Sequence, residues 1–188
     1  MRVLPTSLNG VFLVEQEKFA DDRGSFARTW CSQEYVQQGL DPRVAQCSVS
    51  HNVRRGTVRG LHYQLPPFAE SKTVRCTSGA LYDVALDLRP DSPTFLRWYG
   101  AALTRENGLM LYLPRGVAHG FQTLADDTDV FYVISEFYSP PHARGVRWND
   151  PLFSVKWPEP VTMMSERDRT YPDSTRNDFR ELSSLAGT

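Results

Sequence analysis

The sequence predicts an all-β protein of the sandwich or jelly-roll type. From Val44 onward, short runs rich in β-branched, aromatic and other apolar residues recur at regular spacing. Turn-forming stretches such as Ser78-Gly79 and Glu106-Asn107-Gly108 separate these runs. With 188 residues, 40% of them hydrophobic, the chain can bury roughly 70% of its unfolded surface. We therefore expect residues 1–188 to form one domain with a substantial core.

Two strands are predicted before Val44. Residues 11–14 form a short apolar run. A polar turn at residues 21–24 precedes a second strand that we expect to pass through Phe26 and Trp30.

One helix of about two turns is predicted after these strands. Ser32 is the expected N-cap, and Glu34 places negative charge in the first turn, where the helix dipole favours it. Gly39, with Pro42 beyond it, supplies the stop signal. A helix this short is expected to lie at the periphery of the fold.

The remaining strands are predicted from β-type runs bounded by glycine, proline, asparagine and aspartate. They are residues 57–64, 73–76, 81–88, 96–103, 110–113, 120–124 and 130–138. After Pro140-Pro141 the chain becomes polar and is expected to be irregular. In the tail, about residues 160–188, Ser165 could open a helical turn. We expect the last ten residues to be weakly tethered, although this tail can still supply a residue to a site.

Charge and cysteine content indicate a soluble cytoplasmic protein without a strong overall charge. Twenty-one basic and twenty-two acidic residues give a formal net charge of −1, which argues against nucleic acid or an anionic membrane as partner. The three cysteines, Cys31, Cys47 and Cys76, contain no C-x-x-C pair and are expected to be reduced. No apolar run is long enough for a signal peptide or a membrane span.

The strand at residues 57–64 carries the first candidate for chemistry, His62. Strict alternation would place His62 and Arg59 on opposite faces of the strand. Both could serve one pocket if Gly60 marks a bulge, a common role for glycine inside a strand. From this strand alone, a packed histidine without a catalytic role is equally compatible with the pattern.

Two later strands supply a lysine and a tyrosine. Lys72 heads a face that it shares with Val74 and Cys76, which is uncommon for a lysine unless it meets a partner or reaches solvent. Tyr132 lies on the inward face of the strand at residues 130–138, where a core tyrosine is the ordinary alternative. If they converge with a histidine, the three could remove a proton from carbon, stabilise an enolate and return a proton.

A metal site is only weakly indicated. The four histidines, His51, His62, His119 and His142, form no H-x-H pair and no H-x-x-x-H set.

A set of motifs over nearly the whole chain resembles the dTDP-4-dehydrorhamnose 3,5-epimerase family in both order and spacing. The motifs are Asp22-Arg23-Gly24, Arg59-Gly60-Leu61-His62-Tyr63-Gln64, Lys72-Thr73-Val74-Arg75-Cys76, Gly79, Asp83-Val84, Asp87-Leu88-Arg89, Ser92-Pro93-Thr94-Phe95, Leu113-Pro114, Gly116, Ala118-His119-Gly120-Phe121, Tyr132, Tyr138-Ser139-Pro140 and Trp148-Asn149-Asp150.

The resemblance implies a cupin-type jelly roll (a double-stranded β-helix) with a few short peripheral helices, acting as a homodimer without a metal or other cofactor. It also implies catalytic roles. His62 matches the general base, paired with Asp168 of the tail. Lys72 matches the group that faces the 4-keto oxygen, and Tyr132 matches the proton donor on the other side of the sugar ring.

The resemblance further implies how the substrate is bound. Arg59 and Arg23 match positions that hold the diphosphate, with Arg23 reaching across the dimer, and arginine suits this role because its planar fork binds phosphate oxygens in pairs. Gln46 matches a contact on the nucleotide side. The other expected substrate-binding residues are Ser48, Phe19, Phe26, His119 and Tyr138.

The function implied is inversion of C3, C5 or both in a nucleotide-linked 4-keto-6-deoxyhexose, above all dTDP-4-dehydro-6-deoxyglucose. Three departures from the family pattern, Arg28, Ser48 and Val133, leave open the nucleotide and the number of inverted centres. The alternatives are a single-centre or CDP-sugar epimerase and, from other classes, a metal-dependent cupin oxygenase or isomerase using His51, His62 and His119, or a silent sugar-binding cupin.

Overall fold

The computed structural model describes residues 1–185. In these residues thirteen strands, two short α-helices and one 3₁₀ helix occur. The strands are β1 (Arg2–Pro5), β2 (Phe12–Glu15), β3 (Lys18–Asp21), β4 (Gly24–Ala27), β5 (Gln46–Asn52), β6 (Val58–Gln64), β7 (Lys72–Ser78), β8 (Ala80–Asp87), β9 (Trp98–Thr104), β10 (Met110–Leu113), β11 (Val117–Thr123), β12 (Thr128–Ile134) and β13 (Ala143–Gly145). The helices are α1 (Ser32–Gln37), α2 (Glu166–Arg169) and the 3₁₀ helix Arg176–Leu185.

Two antiparallel sheets form the body of the protein. One has six strands in the order β1-β2-β10-β7-β12-β5, and the other has five in the order β13-β6-β11-β8-β9. Their facing sides share a core, to which the first sheet contributes Val74 and Leu111 and the second contributes Leu81 and Phe121. The predicted all-β, cupin-type jelly roll is therefore confirmed.

The outer face of each sheet is covered by a different part of the chain. Tyr35 of α1 packs with Met110 and Tyr112 on the outside of the six-stranded sheet. On the outside of the five-stranded sheet, Phe153 and Phe179 of the C-terminal part pack in a third cluster. The C-terminal part thereby runs beside β6 and is close enough to contribute to a site there.

The predicted strands are all present, with shifted boundaries, but four strands escaped prediction: β1, β3, β5 and β13. The short strands β1, β3 and β13 lack the alternating apolar pattern that indicates a half-buried strand, and β5 has only Cys47 and Val49 as apolar residues. The strand expected to run through Trp30 ends at Ala27. Trp30 instead packs on α1, with its ring centroid 5.9 Å from that of Tyr35.

The helix prediction was right in position and wrong in its cap. Ser32 is already helical, and the N-cap is Cys31, whose backbone is extended and whose side chain makes no capping hydrogen bond. Gly39 follows with a φ of 71°, the left-handed conformation that ends many helices.

The tail is partly as predicted. Ser165 caps α2, its hydroxyl accepting a hydrogen bond from the backbone N–H of Asp168. The expectation that the last ten residues are weakly tethered is wrong for residues 179–185. Phe179 and Leu182 lie three apart in the 3₁₀ helix, so they share one face, and both are buried in the outer core. Residues 186–188 lie outside the described part of the chain.

Neither a membrane-spanning helix nor a disulfide is found in the described part of the chain. Within residues 1–185, none of the helices has the length and hydropathy needed to cross a membrane. All three cysteines are free thiols, with Cys76 buried and Cys47 exposed.

Candidate active site

A bulge in β6 brings Arg59 and His62 to the same side of the sheet. His62 is paired with His119 of β11, and Arg59 is paired with Phe121. Between these pairs β6 has two residues where β11 has only Gly120, so one residue of β6 is extra. Arg59 and His62 both line one cavity of about 620 Å³, referred to below as the larger cavity. The irregularity predicted at Gly60 is confirmed.

Glycine is required at the bulge by both space and conformation. Gly60 has a φ of 108°, which side-chain-bearing residues rarely adopt. A Cβ atom there would lie 2.6 Å from the Cα of Gly120.

Asp168 of α2 is hydrogen-bonded to His62. The Nε2 atom of His62 lies 2.7 Å from Oδ1 of Asp168, and the other carboxylate oxygen accepts a hydrogen bond of 3.1 Å from the backbone N–H of Gly60. The Asp168 side chain is buried, whereas the His62 side chain is 44% exposed. The imidazole is thus held from behind and is open towards the cavity.

The protonation of Asp168 determines which nitrogen of His62 is free. Burial acts to raise the pKa of Asp168, but the hydrogen bond and charge of His62, with smaller contributions from Gly60 and Ser165, outweigh it and lower the pKa. An ionised carboxylate only accepts hydrogen bonds, so Nε2 of His62 must be the donor. The lone pair of a neutral imidazole then lies on Nδ1, which can accept a proton.

Tyr132 lies across the larger cavity from His62. It belongs to β12 of the six-stranded sheet, whereas His62 belongs to the five-stranded sheet. Burial is the main cause that raises the pKa of Tyr132, and the charge of Asp83 adds to it against the opposing effect of Arg59. The phenol therefore keeps its proton at neutral and mildly alkaline pH and can act as a donor.

A second histidine–aspartate pair lies beside Tyr132. The Nε2 atom of His119 is 2.6 Å from Oδ1 of Asp83, and both side chains are buried. The His119 ring meets the Tyr132 ring edge-on, with centroids 5.8 Å apart. His119 thus lines the larger cavity as predicted, while Asp83 was not predicted as its partner.

Two arginines provide positive charge in the larger cavity. Arg59 donates from Nε to Oδ1 of Asn52 at 2.7 Å, which leaves its terminal nitrogens available. Arg167 of α2 lies with its guanidinium 5.8 Å from the ring centroid of Tyr171. Sequence reasoning missed Arg167. Its position next to Asp168 was the available signal, because a helical turn that delivers one residue also brings its neighbours.

A smaller cavity of about 200 Å³ adjoins the larger one. His62 and Arg167 line both cavities. Lys72 lines the smaller cavity, where its Nζ atom is 2.7 Å from Oε1 of Glu70 and 3.5 Å from the carbonyl oxygen of His62. Glu70 was not predicted, since nothing in its local sequence distinguishes it from a loop glutamate.

The other predicted residues divide into two groups. Gln46 and Tyr138 line the smaller cavity. Ser48 is exposed on β5, opposite Tyr132 in the ladder, and does not line either cavity.

The β3–β4 hairpin carries the three remaining residues and lies apart from both cavities. Phe19 and Phe26 form a cross-strand pair and are 64% and 72% exposed. The Nη2 atom of Arg23 lies 2.6 Å from Oδ2 of Asp21. Phe19, Arg23 and Phe26 line a groove on the hairpin itself. Within one chain, therefore, these three residues lie outside both cavities, and their contact with the substrate stays a prediction.

The residues that the structure describes form no candidate metal centre. Among them, no three histidine, cysteine, aspartate or glutamate side chains are grouped so that they could hold a metal ion.

The arrangement suits removal of a proton from carbon and its return from the opposite side. A base faces the larger cavity from one sheet, and a protonated phenol faces it from the other. Lys72 and the arginines place positive charge where an enolate and a phosphate could be stabilised.

Comparison with known proteins gives concordant results. A family model for dTDP-4-dehydrorhamnose 3,5-epimerase matches residues 5–175. The dTDP-4-dehydrorhamnose 3,5-epimerase of Sinorhizobium fredii is 44% identical over 167 residues, which are 88% of this chain and 86% of that protein.

Solved structures are similar over almost the whole chain. The Bacillus anthracis dTDP-4-dehydrorhamnose 3,5-epimerase with TDP and PPi bound has a TM-score of 0.88 and 40% identity, covering 91% of this chain and 98% of that one. ChmJ, a 3'-monoepimerase from Streptomyces bikiniensis in complex with dTDP-quinovose, has a TM-score of 0.84 and 33% identity, covering 97% of this chain and 91% of that one.

Proposed function

Because the chain belongs to the dTDP-4-dehydrorhamnose 3,5-epimerase family, we propose that it inverts C3 and C5 of dTDP-4-dehydro-6-deoxyglucose to give dTDP-4-dehydrorhamnose. The family and the isomerase class agree with those predicted from the motifs, and the relatives do not favour a metal-dependent oxygenase. The observation that carries the proposal is the placement of His62 and Tyr132 on facing sheets around one cavity.

The first step is proton abstraction by His62. Nδ1 takes the proton from the carbon next to the ketone, and the electrons of the C–H bond form a carbon–carbon double bond. The carbonyl π electrons move onto oxygen, which gives an enolate. Asp168 stabilises the imidazolium that results, because its carboxylate accepts the hydrogen bond from Nε2.

Lys72 stabilises the enolate oxygen in this scheme. Its side chain is 12% exposed, so its positive charge acts in a water-poor environment, where it stabilises a developing negative charge more strongly than in bulk water.

Reprotonation by Tyr132 completes the inversion. The phenol donates its O–H proton to the enolate carbon from the sheet opposite His62, so the carbon is protonated on the other face of the ring. His62 is left protonated and Tyr132 is left as phenolate, and both return to their starting states by exchange with solvent. The same pair can act on C3 and then on C5.

The diphosphate and the base extend from the sugar along the remaining polar groups. Arg59 and Arg167 bind the diphosphate, since guanidinium groups match phosphate oxygens. Gln46 and Tyr138 then meet the thymidine along the smaller cavity. Relatives solved with TDP or dTDP-quinovose support a dTDP-linked substrate.

The function is tested by incubating the protein with dTDP-4-dehydro-6-deoxyglucose in deuterated water and following the sugar by NMR. We expect deuterium at both C3 and C5 and formation of the rhamno-configured product. Incorporation at one carbon alone would identify a single-centre epimerase, the activity named for ChmJ. If neither carbon exchanges with any dTDP- or CDP-linked 4-keto-6-deoxy sugar, the proposal is wrong.

A homodimer is also proposed, because the β3–β4 hairpin is incomplete by itself. A two-stranded hairpin is at best marginally stable alone, and exposed pairs of large aromatic residues mark contact surfaces. A second copy would cover Phe19 and Phe26 and would bring Arg23 to the partner's substrate.

Complementation tests this shared site. His62→Ala and Arg23→Ala are each expected to be nearly inactive alone, because each lacks one component of every site. In a 1:1 co-expressed mixture, half of the dimers are hybrids with one intact site in two, so about a quarter of wild-type activity should return. A mixture as inactive as its components, or a monomer in sedimentation analysis, would refute the shared site.

The protein is further proposed to work in the cytoplasm. Its three cysteines are free, and Cys47 is exposed, as expected in a reducing compartment.

A further inference from the structure

Glu70 is a buried carboxylate to which the mechanism above assigns no role. Its side chain is only 6% exposed. One carboxylate oxygen, Oε1, lies 2.7 Å from Nζ of Lys72, and the other has no hydrogen-bond partner among the described residues. An ionised carboxylate in such a position is costly unless a positive charge compensates it, and Lys72 is that charge.

The backbone around Glu70 is held in place independently of this ion pair. Ser71 exchanges two hydrogen bonds with Ser135, donating from its backbone N–H to the hydroxyl and accepting from the backbone N–H of Ser135. Glu70 and Lys72 are two residues apart where the chain enters β7, and side chains two apart in an extended chain share one side. The carboxylate is therefore a fixed anchor for the ammonium group.

The anchor also determines where Lys72 directs its other donors. An ammonium group has three N–H donors. One is engaged by Glu70, and a second points at the carbonyl oxygen of His62 at 3.5 Å. The third remains for a ligand at the junction of the two cavities, beside the residue proposed as the base.

We propose that Glu70 is a positioning residue that holds the ammonium group of Lys72 directed at the keto oxygen of the substrate. This inference rests on the function proposed above. Glu70 itself does not touch the substrate, because Oε1 is bound to Lys72 and Oε2 has no accessible surface.

The charged groups that line the smaller cavity explain why Lys72 needs Glu70 to hold its ammonium group in place. Without the carboxylate, Lys72 would share the cavity with two guanidinium groups and one remaining carboxylate, and repulsion from the guanidinium groups would move its ammonium group from its present position. The other titratable or charged side chains that line this cavity are His62, Tyr63, Glu136, Tyr138, Arg144 and Arg167.

The placement of Lys72 can be followed directly. The chain has only three lysines, Lys18, Lys72 and Lys156, so protein labelled with ¹³C-lysine gives three resolvable side-chain signals, assigned with a Lys72→Met variant. We expect Glu70→Gln to change the chemical shift of the Lys72 signal at a fixed neutral pH, because the ammonium group loses its anchor. Lys18 and Lys156 are exposed and serve as internal controls that should not change. An unchanged Lys72 signal in Glu70→Gln would overturn the proposal.

Kinetics provide the second readout. Glu70→Gln should lower kcat by about tenfold or more with little change in KM. Glu70→Asp keeps the charge and should retain more of the wild-type kcat than Glu70→Gln. A Glu70→Gln enzyme with wild-type or higher kcat would show that the carboxylate has no positioning role.

A double-mutant cycle separates positioning from folding. In a Lys72→Met background, Glu70→Gln should have no further effect on the residual exchange rate, because its target is gone. The double variant also replaces a buried ion pair with neutral groups and avoids an uncompensated charge if Glu70→Gln alone is unstable. Equal loss in both backgrounds would contradict the proposal, and absence of exchange in the wild type would instead refute the proposed function.

Discussion

Replacing His62 by alanine is expected to lower kcat for epimerisation by about 10²–10⁴-fold, the usual contribution of a general base. Deuterium exchange at C3 and at C5 should be lost together, because the proposed mechanism uses His62 as the base at both carbons. Affinity for dTDP should remain close to that of wild type, since Arg59 and Arg167 are unchanged. Exchange is measured by NMR in deuterated water, and dTDP binding by calorimetry.

A suitable control for this variant is His51→Ala. His51 is an exposed residue of β5 whose Nδ1 lies 2.7 Å from Asp129, and it lines neither cavity. We expect this variant to keep wild-type exchange, which would also count against a metal site built on His51, His62 and His119. If His62→Ala exchanged either carbon at the wild-type rate, the base would have to be another residue.

The fold was predictable because each inner strand follows a simple alternation. Lys72, Val74 and Cys76 were expected on one face of their strand, and Val74 and Cys76 do lie in the core between the sheets. Tyr132 packs against the same core from β12. In these strands, apolar residues two positions apart define an inward face. A polar residue that continues the same spacing must lie on that face as well.

The chemistry around these residues was less predictable because it depends on contacts distant in sequence. A role for Glu70 could be inferred only from the folded chain, in which it lies beside Lys72 in a water-poor cavity. Arg167 reaches the site because the C-terminal part docks on the five-stranded sheet, and local periodicity does not encode that docking. Asp168 was available from family resemblance, but its contact with His62 spans 106 residues of sequence.

The role of the β3–β4 hairpin was hard to predict for a different reason. Phe19, Arg23 and Phe26 were predicted as substrate-binding residues, yet in one chain they lie apart from the cavities. A single chain specifies the hairpin and its exposed aromatic pair, but it does not specify what covers them.

The second large effect is expected for Tyr132→Phe, which should separate exchange from inversion. His62 and Lys72 remain, so the proton can still leave and the enolate can form. Without the phenolic proton, the carbon is reprotonated from the His62 side, and deuterium enters with retained configuration. The rate of inversion should fall by about 10²–10⁴-fold while wash-in of deuterium continues.

A matched control for Tyr132→Phe is Tyr35→Phe, which removes the same hydroxyl from a different core. Burial raises the pKa of Tyr35 to about 12, and its hydroxyl lies 2.9 Å from that of Thr73. This variant should lose about 1 kcal/mol of unfolding free energy and keep both rates. The paired measurement of wash-in and inversion decides the role of Tyr132. If Tyr132→Phe inverts C3 and C5 at the wild-type rate, another group is the donor, and if wash-in disappears with inversion, Tyr132 acts before the enolate forms.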